Sequence, residues 1–231
     1  MNLKQRLLVL AALGVIGGVI AYSARVHLQT GHNRAQLVRL ELDDAWHSGN
    51  YARAAELFTE LQTIEPGNLD NYVDQAFALH SLGRDDDSLD AYARGIKNVP
   101  QAWYIPFHRG YQFYYRWHHD PVRALQDLET AAALVHDPTD TVLVMRQKAN
   151  LHAILEQWEA LRTTSERILA IEPANRFAQR DFDRLDLRAA WDRHDRTQAQ
   201  VLIGRLQAFD PGDKVAADYA QRLTAGPAAG Q

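Results

Sequence analysis

Apolar and polar residues follow one another along most of this chain with the spacing of a helix surface. In HSGNYARAAELFTELQTIEPGN, residues 47–68, a glycine turn leads into a run whose apolar residues recur at three- and four-residue intervals. That spacing places the apolar side chains on one face of an α-helix, and a proline then stops the run. The pattern predicts an all-α protein made of amphipathic helices.

The same segment recurs, and four prolines mark its period. The intervals between Pro66, Pro100, Pro173 and Pro211 are 34, 73 and 38 residues. The first is one unit, the second is two units with a small insertion, and the third is one unit with a short extra stretch. A period near 34 is typical of arrays of paired helices. One such unit cannot bury its apolar face alone, so we expect the units to stack.

Each unit is interpreted as helix, tight turn, helix and proline stop. The predicted units cover 35–68, 69–102, 103–138, about 142–175 and about 180–213, and a last helix over 214–223 caps them. Gly49 and Gly83 supply the left-handed turn residue. Small residues recur near the start of the second helix, where two helices are expected to cross closely: Ala54, Ser88, Ala124 and Ala199.

This pattern resembles the tetratricopeptide repeat family. In unit one the resemblance is carried by Gly49-Asn50-Tyr51, Ala54, Phe58 and Pro66, and in unit two by Tyr72, Ala76, Leu79, Gly83, Tyr92, Gly95 and Pro100. It covers residues 35–213 and implies an α-solenoid of about five units that works by binding proteins. Units four and five depart from the pattern, because Glu156 and His194 stand at the turn glycine and Leu161 replaces the small residue.

The first 24 residues are predicted to be an uncleaved signal anchor, a single transmembrane helix. Residues 7–24 carry no charge, and 18 residues at about 1.5 Å each span roughly 27 Å, enough for a bilayer core. A cleaved signal peptide is the alternative. Gly14 and Gly18 form a GxxxG pair that is predicted to pack membrane helices. A linker over 25–34, the helical domain over 35–224 and a flexible tail over 225–231 follow.

The charges around this span predict its orientation. Lys4, Arg6 and the free amine precede it, and Arg25, Arg34 and Arg39 follow, so the positive-inside count is nearly balanced. A six-residue basic tail is easier to retain than to translocate. We therefore expect the N-terminus inside a bacterial inner membrane and the soluble domain in the periplasm.

Composition excludes several classes of function. The formal net charge is -4, which disfavours nucleic-acid binding. The absence of cysteine removes disulfides, thiolate zinc sites and cysteine nucleophiles, and it fits an oxidising compartment. No catalytic signature is present, so we expect no enzyme activity, cofactor, metal or small-molecule substrate. His118-His119-Asp120 is interpreted as a polar turn in which Asp120 caps a helix that begins at Pro121.

The resemblance implies which side chains face a partner, because first helices line the concave face of such arrays. Carried over residue by residue, the predicted partner-binding set is Trp46, Phe77, His80, Tyr104, Phe107, Tyr111, Tyr114, Arg146, Asn150, Arg184 and Arg188. Residues 103–117 hold eight of the 21 aromatic residues of the chain. They are either core or partner surface. Their helix is expected to run from near Trp103 to near Trp117, with a longer turn to Pro121 than in other units.

Four arginines at four-residue spacing, Arg176, Arg180, Arg184 and Arg188, predict a solvated face with local ion pairs. A basic strip for an acidic partner segment is the alternative. Arg146 and Asn150 match two positions of the carboxylate clamp of chaperone-binding family members, but the rest of that clamp is missing.

The sequence thus predicts a membrane-anchored scaffold that mediates protein–protein interactions, as a subunit or assembly factor of a bacterial envelope complex. One alternative is a periplasmic chaperone-like adaptor that binds the chain termini of its clients. Another is a cytoplasm-facing regulator that recruits a protease, which requires the opposite topology.

Overall fold

A computed structural model of the chain describes residue 30 and residues 33–225. The predicted anchor over 1–24, with Gly14 and Gly18, lies outside the described residues, as do most of the linker and the tail beyond residue 225. Among the described residues, no helix combines the length and the apolar composition that crossing a bilayer requires.

Every regular element within residues 33–225 is a helix. The first helix, α1, covers 33–47. The next four are α2 (Tyr51–Ile64), α3 (Asp70–Ser81), α4 (Asp85–Asn98) and α5 (Tyr104–His108), and α5 continues into a π-helix, π1 (Arg109–Trp117). The remaining helices are α6 (Pro121–Leu134), α7 (Pro138–Ile154), α8 (Trp158–Ile171), α9 (Arg176–Asp192), α10 (Arg196–Phe209) and α11 (Lys214–Ala225).

The chain divides into two compact units, with the boundary between Val99 and Pro100. The first unit holds two helix pairs, α1–α2 and α3–α4. The second holds the pairs formed by α5–π1 with α6, by α7 with α8 and by α9 with α10, followed by α11 as a capping helix. This order of five pairs and a last helix is the predicted one.

Within each described pair, a three-residue turn joins the two helices. The middle residue of every turn has the left-handed conformation, with φ of 72° at Gly49, 71° at Gly83, 53° at His119, 55° at Glu156 and 58° at His194. Glu156 and His194 therefore keep the turn geometry that glycine supplies in the first unit. The predicted longer turn before Pro121 is wrong, because residues 118–120 form a turn of the common length.

The small residues predicted at the helix crossings are confirmed as core. Ala54, Ser88, Ala124 and Ala199 are all 0% exposed. In α8 the sizes are exchanged: Leu161 occupies the small position and Ser165 follows one turn later, and both are fully buried. The large and the small side chain thus exchange positions along the helix, and the helix crossing stays filled.

The helix predicted from near Trp103 to near Trp117 has the expected extent, but its second half is π-helical. At Gly110, near the start of π1, the backbone approaches α6 closely, because an added Cβ would lie 2.8 Å from the Cβ of Asp127 and 2.9 Å from the carbonyl oxygen of Ala124. Arg109 clamps the same site, because its Nη2 and Nε donate to the two carboxylate oxygens of Asp127 at 2.6 and 2.7 Å. The close approach and the ion pair hold π1 against α6.

The turn after π1 has the predicted cap. The Oδ1 of Asp120 accepts a hydrogen bond from the backbone N–H of Arg123 at 3.0 Å, and Pro121 is the first residue of α6. Hydrogen bonds from its own helix lower the pKa of Asp120. The adjacent His119 supplies the positive φ of the turn.

Candidate functional site

An aromatic ladder runs along the first helix of the second unit. Phe107, Tyr111 and Tyr115 follow at four-residue spacing, with ring centroids 5.8 Å apart for the first two rings and 6.0 Å for the last two. Phe107 is 6% exposed and belongs to the core, whereas both tyrosines are partly exposed. Phe107 is therefore a packing residue, and the two tyrosine rings lie partly exposed at the edge of the core against which they pack.

The π-helix decides which tyrosine shares this face. An α-helix would bring Tyr114, three residues after Tyr111, to the same side, as the sequence predicted. A π-helix closes i→i+5 hydrogen bonds and takes more residues per turn, so the next ring on this face belongs to Tyr115. Tyr114 lies toward α6, where the guanidinium carbon of Arg123 is 4.9 Å from its ring centroid.

A cavity of about 320 Å³ opens beside the two tyrosines. Its walls come from π1 and the following turn, from α7, and from the first residue of α11. The residues that line this tyrosine cavity are Tyr111, Tyr115, Arg116, His119, Gln147, Asn150 and Lys214. The Nζ of Lys214 lies 5.3 Å from the ring centroid of Tyr115, within the range of a cation–π interaction.

Asn150 connects the tyrosine cavity to the interior of the second unit. Its Nδ2 donates to the hydroxyl of Tyr115 at 3.2 Å. Its Oδ1 accepts a hydrogen bond from Nη2 of Arg184 at 3.1 Å. Both ends of the amide are therefore occupied, and the Tyr115 ring is held in a defined position.

Arg184 is the centre of a buried ion cluster and is only 2% exposed. Its Nε and Nη2 donate to Oδ2 of Asp213 at 3.0 and 2.7 Å, and its Nη1 donates to Oδ1 of Asp181 at 3.1 Å. Asp213 also accepts from the backbone N–H of Ala216 at 3.0 Å, which caps α11. The assignment of Arg184 to the partner-binding face is wrong, because its guanidinium is buried and fastens α11 to α9.

The prediction that the arginines of α9 form a solvated face is also wrong for Arg180. Its side chain is 9% exposed, and its Nη2 lies 3.0 Å from Oδ1 of Asp181. Burial raises the pKa of the Asp181 carboxyl, against the opposing charges of Arg180 and Arg184. The hydroxyl of Ser165 donates to the other Asp181 oxygen at 3.2 Å. A small residue at position 165 thus leaves room for the carboxylate and also hydrogen-bonds it.

Arg146 carries a positive charge that forms no ion pair among the described residues. Its guanidinium carbon lies 3.4 Å from the ring centroid of Phe177, and its Nε is buried without an acceptor. Burial lowers the pKa of Arg146, and the charge of Arg180 lowers it further. Because hydrogen bonds between charged groups are strong, a carboxylate that reached this guanidinium would be stabilised there.

The first unit has an aromatic cluster of its own. The ring of Trp46 lies 5.6 Å from that of Tyr51, 5.8 Å from that of Phe58 and 5.6 Å from that of Phe77. Phe77 is 37% exposed. The Nδ1 of His80 lies 2.6 Å from Oδ1 of Asp85. The predicted role of Trp46, Phe77 and His80 in partner binding stays a prediction.

Two predicted residues lie apart from the tyrosine cavity. Tyr104 is partly buried, with its ring 4.2 Å from that of His108. Arg188 donates to Asp192 one turn later on α9, at 2.9 Å. Of the predicted set, the structure brings Tyr111 and Asn150 together at the cavity.

Sequence reasoning missed several cavity residues, and Tyr115 and Lys214 show why. The π-helix moved the register from Tyr114 to Tyr115, and nothing in the repeat pattern signals a π-helix. Lys214 lies on the capping helix, outside the repeat units from which the predicted face was taken. The sequence feature that could have indicated Lys214 is its position directly after the proline turn at Pro211.

The sequence matches no family model, and no curated protein is significantly similar to it. Solved structures are similar in fold. MamA has a TM-score of 0.50 at 12% identity, over 80% of this chain and 96% of that one. PilF of Pseudomonas aeruginosa has a TM-score of 0.49 at 14% identity, over 83% and 99%. PilW, a type IV pilus biogenesis factor, has a TM-score of 0.46 at 16% identity, over 80% and 98%.

The fold follows from the repeat and the structure together. MamA is a tetratricopeptide-repeat protein, and the helix pairs, turn geometry and small crossing residues agree with the family pattern found in the sequence. At 12% identity, the MamA match bears on the fold alone. The described part of the chain has the tetratricopeptide-repeat fold.

Proposed function

We propose that this chain is a membrane-anchored scaffold that binds other proteins through the tyrosine cavity of its second unit. The observation that carries the proposal is the pair Tyr111 and Tyr115, partly exposed on a rigid helix beside an open cavity. Tyrosines held in place are effective interface residues, because they offer a large apolar ring and a hydroxyl at a small entropic cost. The proposal assigns the chain a binding role and no catalytic step.

The proposed location is a bacterial inner membrane, with the helical domain in the periplasm. The support is the uncharged segment 7–24 behind a short basic tail. A reporter that works only in the periplasm, fused after Gln231, should be active. Activity of a cytosol-only reporter in its place would contradict this topology and favour the protease-recruiting regulator.

The structure bears on the chaperone-like alternative through Asn150. A clamp for the terminus of a client chain would need Asn150 and Arg146 as donors. The amide of Asn150 already donates to Tyr115 and accepts from Arg184. One of the two amide N–H groups thereby holds the Tyr115 ring, which supports the tyrosine cavity as the binding surface of the scaffold.

The test compares three tyrosine variants of the full, C-terminally tagged chain after purification in mild detergent. Mass spectrometry of the wild type should find a partner at constant stoichiometry. Tyr111→Ala and Tyr115→Ala should each lower partner recovery strongly, since truncation of an interface tyrosine often costs about 2 kcal/mol or more of binding. Tyr114→Ala is the matched control, because Tyr114 lies toward α6 and Arg123.

Melting temperature, measured on the same samples, separates binding from folding. If Tyr111→Ala and Tyr115→Ala lower the melting temperature strongly while recovery per folded molecule is unchanged, the two rings are core and the proposal fails. It also fails if Tyr114→Ala removes the partner as effectively. A spread of substoichiometric clients would support the chaperone-like alternative.

A further inference from the structure

The tyrosine cavity has a local charge opposite to that of the whole chain. The chain has a formal net charge of -4. None of the seven side chains that line the cavity is a carboxylate, whereas Arg116, His119 and Lys214 are basic. The cavity therefore lacks the acidic groups that the rest of the chain has in excess.

Some exposed cations of the second unit pair with carboxylates, and others, such as Arg162 and the two at the cavity, pair with no carboxylate of the described residues. Arg123, Arg205 and Arg222 pair with carboxylates at 2.6, 2.7 and 2.7 Å. Among the described residues, Arg116 and Lys214 have no such partner, although both are exposed. They come from different elements, π1 and α11, so two separate positive charges border one open space.

We infer that the tyrosine cavity binds an internal acidic segment of a partner chain, a specific form of the protein binding proposed above. Carboxylates of that segment pair with Arg116 and Lys214. The rings of Tyr111 and Tyr115 contact its backbone and its aliphatic stems. Two basic side chains that come from separate elements match a segment with several carboxylates.

Arg146, on α7, is a third basic residue that could pair with such an acidic segment. It lies one helical turn before Asn150, is partly exposed and forms no ion pair among the described residues. A segment that leaves the cavity along α7 therefore meets a third unpaired cation. The charge complementarity favours an acidic chain over a neutral or basic one.

The test measures binding of a fluorescein-labelled hexaglutamate, blocked at its C-terminus, to the full chain in non-ionic detergent by fluorescence anisotropy. Arg116→Gln and Lys214→Gln should each weaken binding by about three- to fivefold, and the double variant by about tenfold or more. Arg162→Gln is the matched control, since it removes the same charge from an exposed position on α8, and it should leave binding unchanged. Added salt should weaken binding of the wild type.

Three outcomes would overturn the inference. They are no binding of hexaglutamate to the folded wild type, an equal loss with Arg162→Gln, and equally tight binding of a hexaglutamine peptide with a free C-terminal carboxylate. The last outcome would assign the site to a chain terminus. If Tyr115→Ala removes the co-purified partner while hexaglutamate fails to bind, the scaffold proposal stands and the acidic-segment inference alone falls.

Discussion

The two units of this chain build the same helix pairs from different local chemistry. In the first unit both described turns have glycine at the left-handed position, Gly49 and Gly83. In the second unit all three turns place a residue with a side chain there: His119, Glu156 and His194. A side chain in this conformation costs about 1–2 kcal/mol per residue. Packing around the turns of the second unit therefore fixes a geometry that the local sequence disfavours.

The two units also differ in the polar groups that they bury. In the first unit the neutral amide of Gln75 is 3% exposed, and its Nε2 donates to the carbonyl of Ala55 and to the hydroxyl of Thr59. In the second unit the buried polar groups include the ions Arg184, Asp181 and Asp213. These ions, like the π-helix, connect directly to the tyrosine cavity. The departures from a regular repeat therefore lie next to the candidate site. Functional sites often break local sequence–structure preferences.

The largest effect is expected from breaking the ion cluster. Arg184→Met should lower the free energy of unfolding by about 3–5 kcal/mol, because the carboxylate of Asp213 stays buried after its cation is removed. Gln75→Leu, the corresponding change in the first unit, removes a neutral partner and should cost about 1–3 kcal/mol. Chemical denaturation of both variants measures the difference.

The exposed pair Arg205–Asp183 supplies a control within the second unit. Its Nη2–Oδ1 distance is 2.7 Å, but the Arg205 side chain is 59% exposed, so Arg205→Met should change stability by less than about 1 kcal/mol. A loss for Arg184→Met as small as this would mean that the cluster is solvated, and the contrast between the two units would disappear.

The next effect concerns the π-helix. Gly110→Ala should destabilise by about 1–3 kcal/mol, because the new methyl group meets Asp127 and the Ala124 carbonyl within 3 Å and the neighbours must shift. Gly204→Ala is the matched change inside α10. No atom lies within 4 Å of that added Cβ, so it should stabilise by up to about 1 kcal/mol. Thermal melting gives the sign of each change. Equal signs would contradict the close approach of Gly110 to α6.

Much of the fold was predictable because its signals are local. The period near 34, the turn glycines and the small residues at positions such as Ala54 and Ser88 each follow from the geometry of one helix pair. The cap at Asp120 follows from a capping residue directly before a proline. Such features depend on neighbours within one repeat, so the sequence pattern alone is sufficient to place them.

The candidate site was less predictable because it depends on long-range packing. The burial of Arg184 requires Asp213, 29 residues away, and an arginine repeat on its own also fits a solvated face. The choice of Tyr115 over Tyr114 depends on a π-helix, and the close approach of Gly110 to α6 is visible only after the two helices are packed. Lys214 reaches the cavity from a helix outside the repeat.

The first unit also contains an unfavourable group, and its effect should depend on pH. Burial, followed by the nearby carboxylate of Asp70, raises the pKa of Asp74 from 3.8 to about 6. The folded state therefore holds this proton more tightly than the unfolded chain, and stability falls as the pH rises from about 4 to about 6. Asp74→Asn should stabilise by about 1–2 kcal/mol at pH 7, and the gain should vanish below about pH 4. A gain that is the same at pH 3.5 and pH 7 would show that ionisation of Asp74 is not its cause.

The smallest effect tests the turn comparison directly. His194 has φ of 58° and an exposed side chain, so His194→Gly relieves backbone strain without loss of packing. Glycine also has more freedom in the unfolded chain, so the net gain should be about 0.5–1 kcal/mol. The reverse change in the first unit, Gly83→His, should destabilise by a similar amount, since Gly83 has φ of 71° and no atom lies within 4 Å of an added Cβ. Denaturation curves for the two variants should shift in opposite directions. A loss of stability for His194→Gly would mean that the histidine side chain itself stabilises the turn, and the strain assigned to the second unit would have to be reduced accordingly.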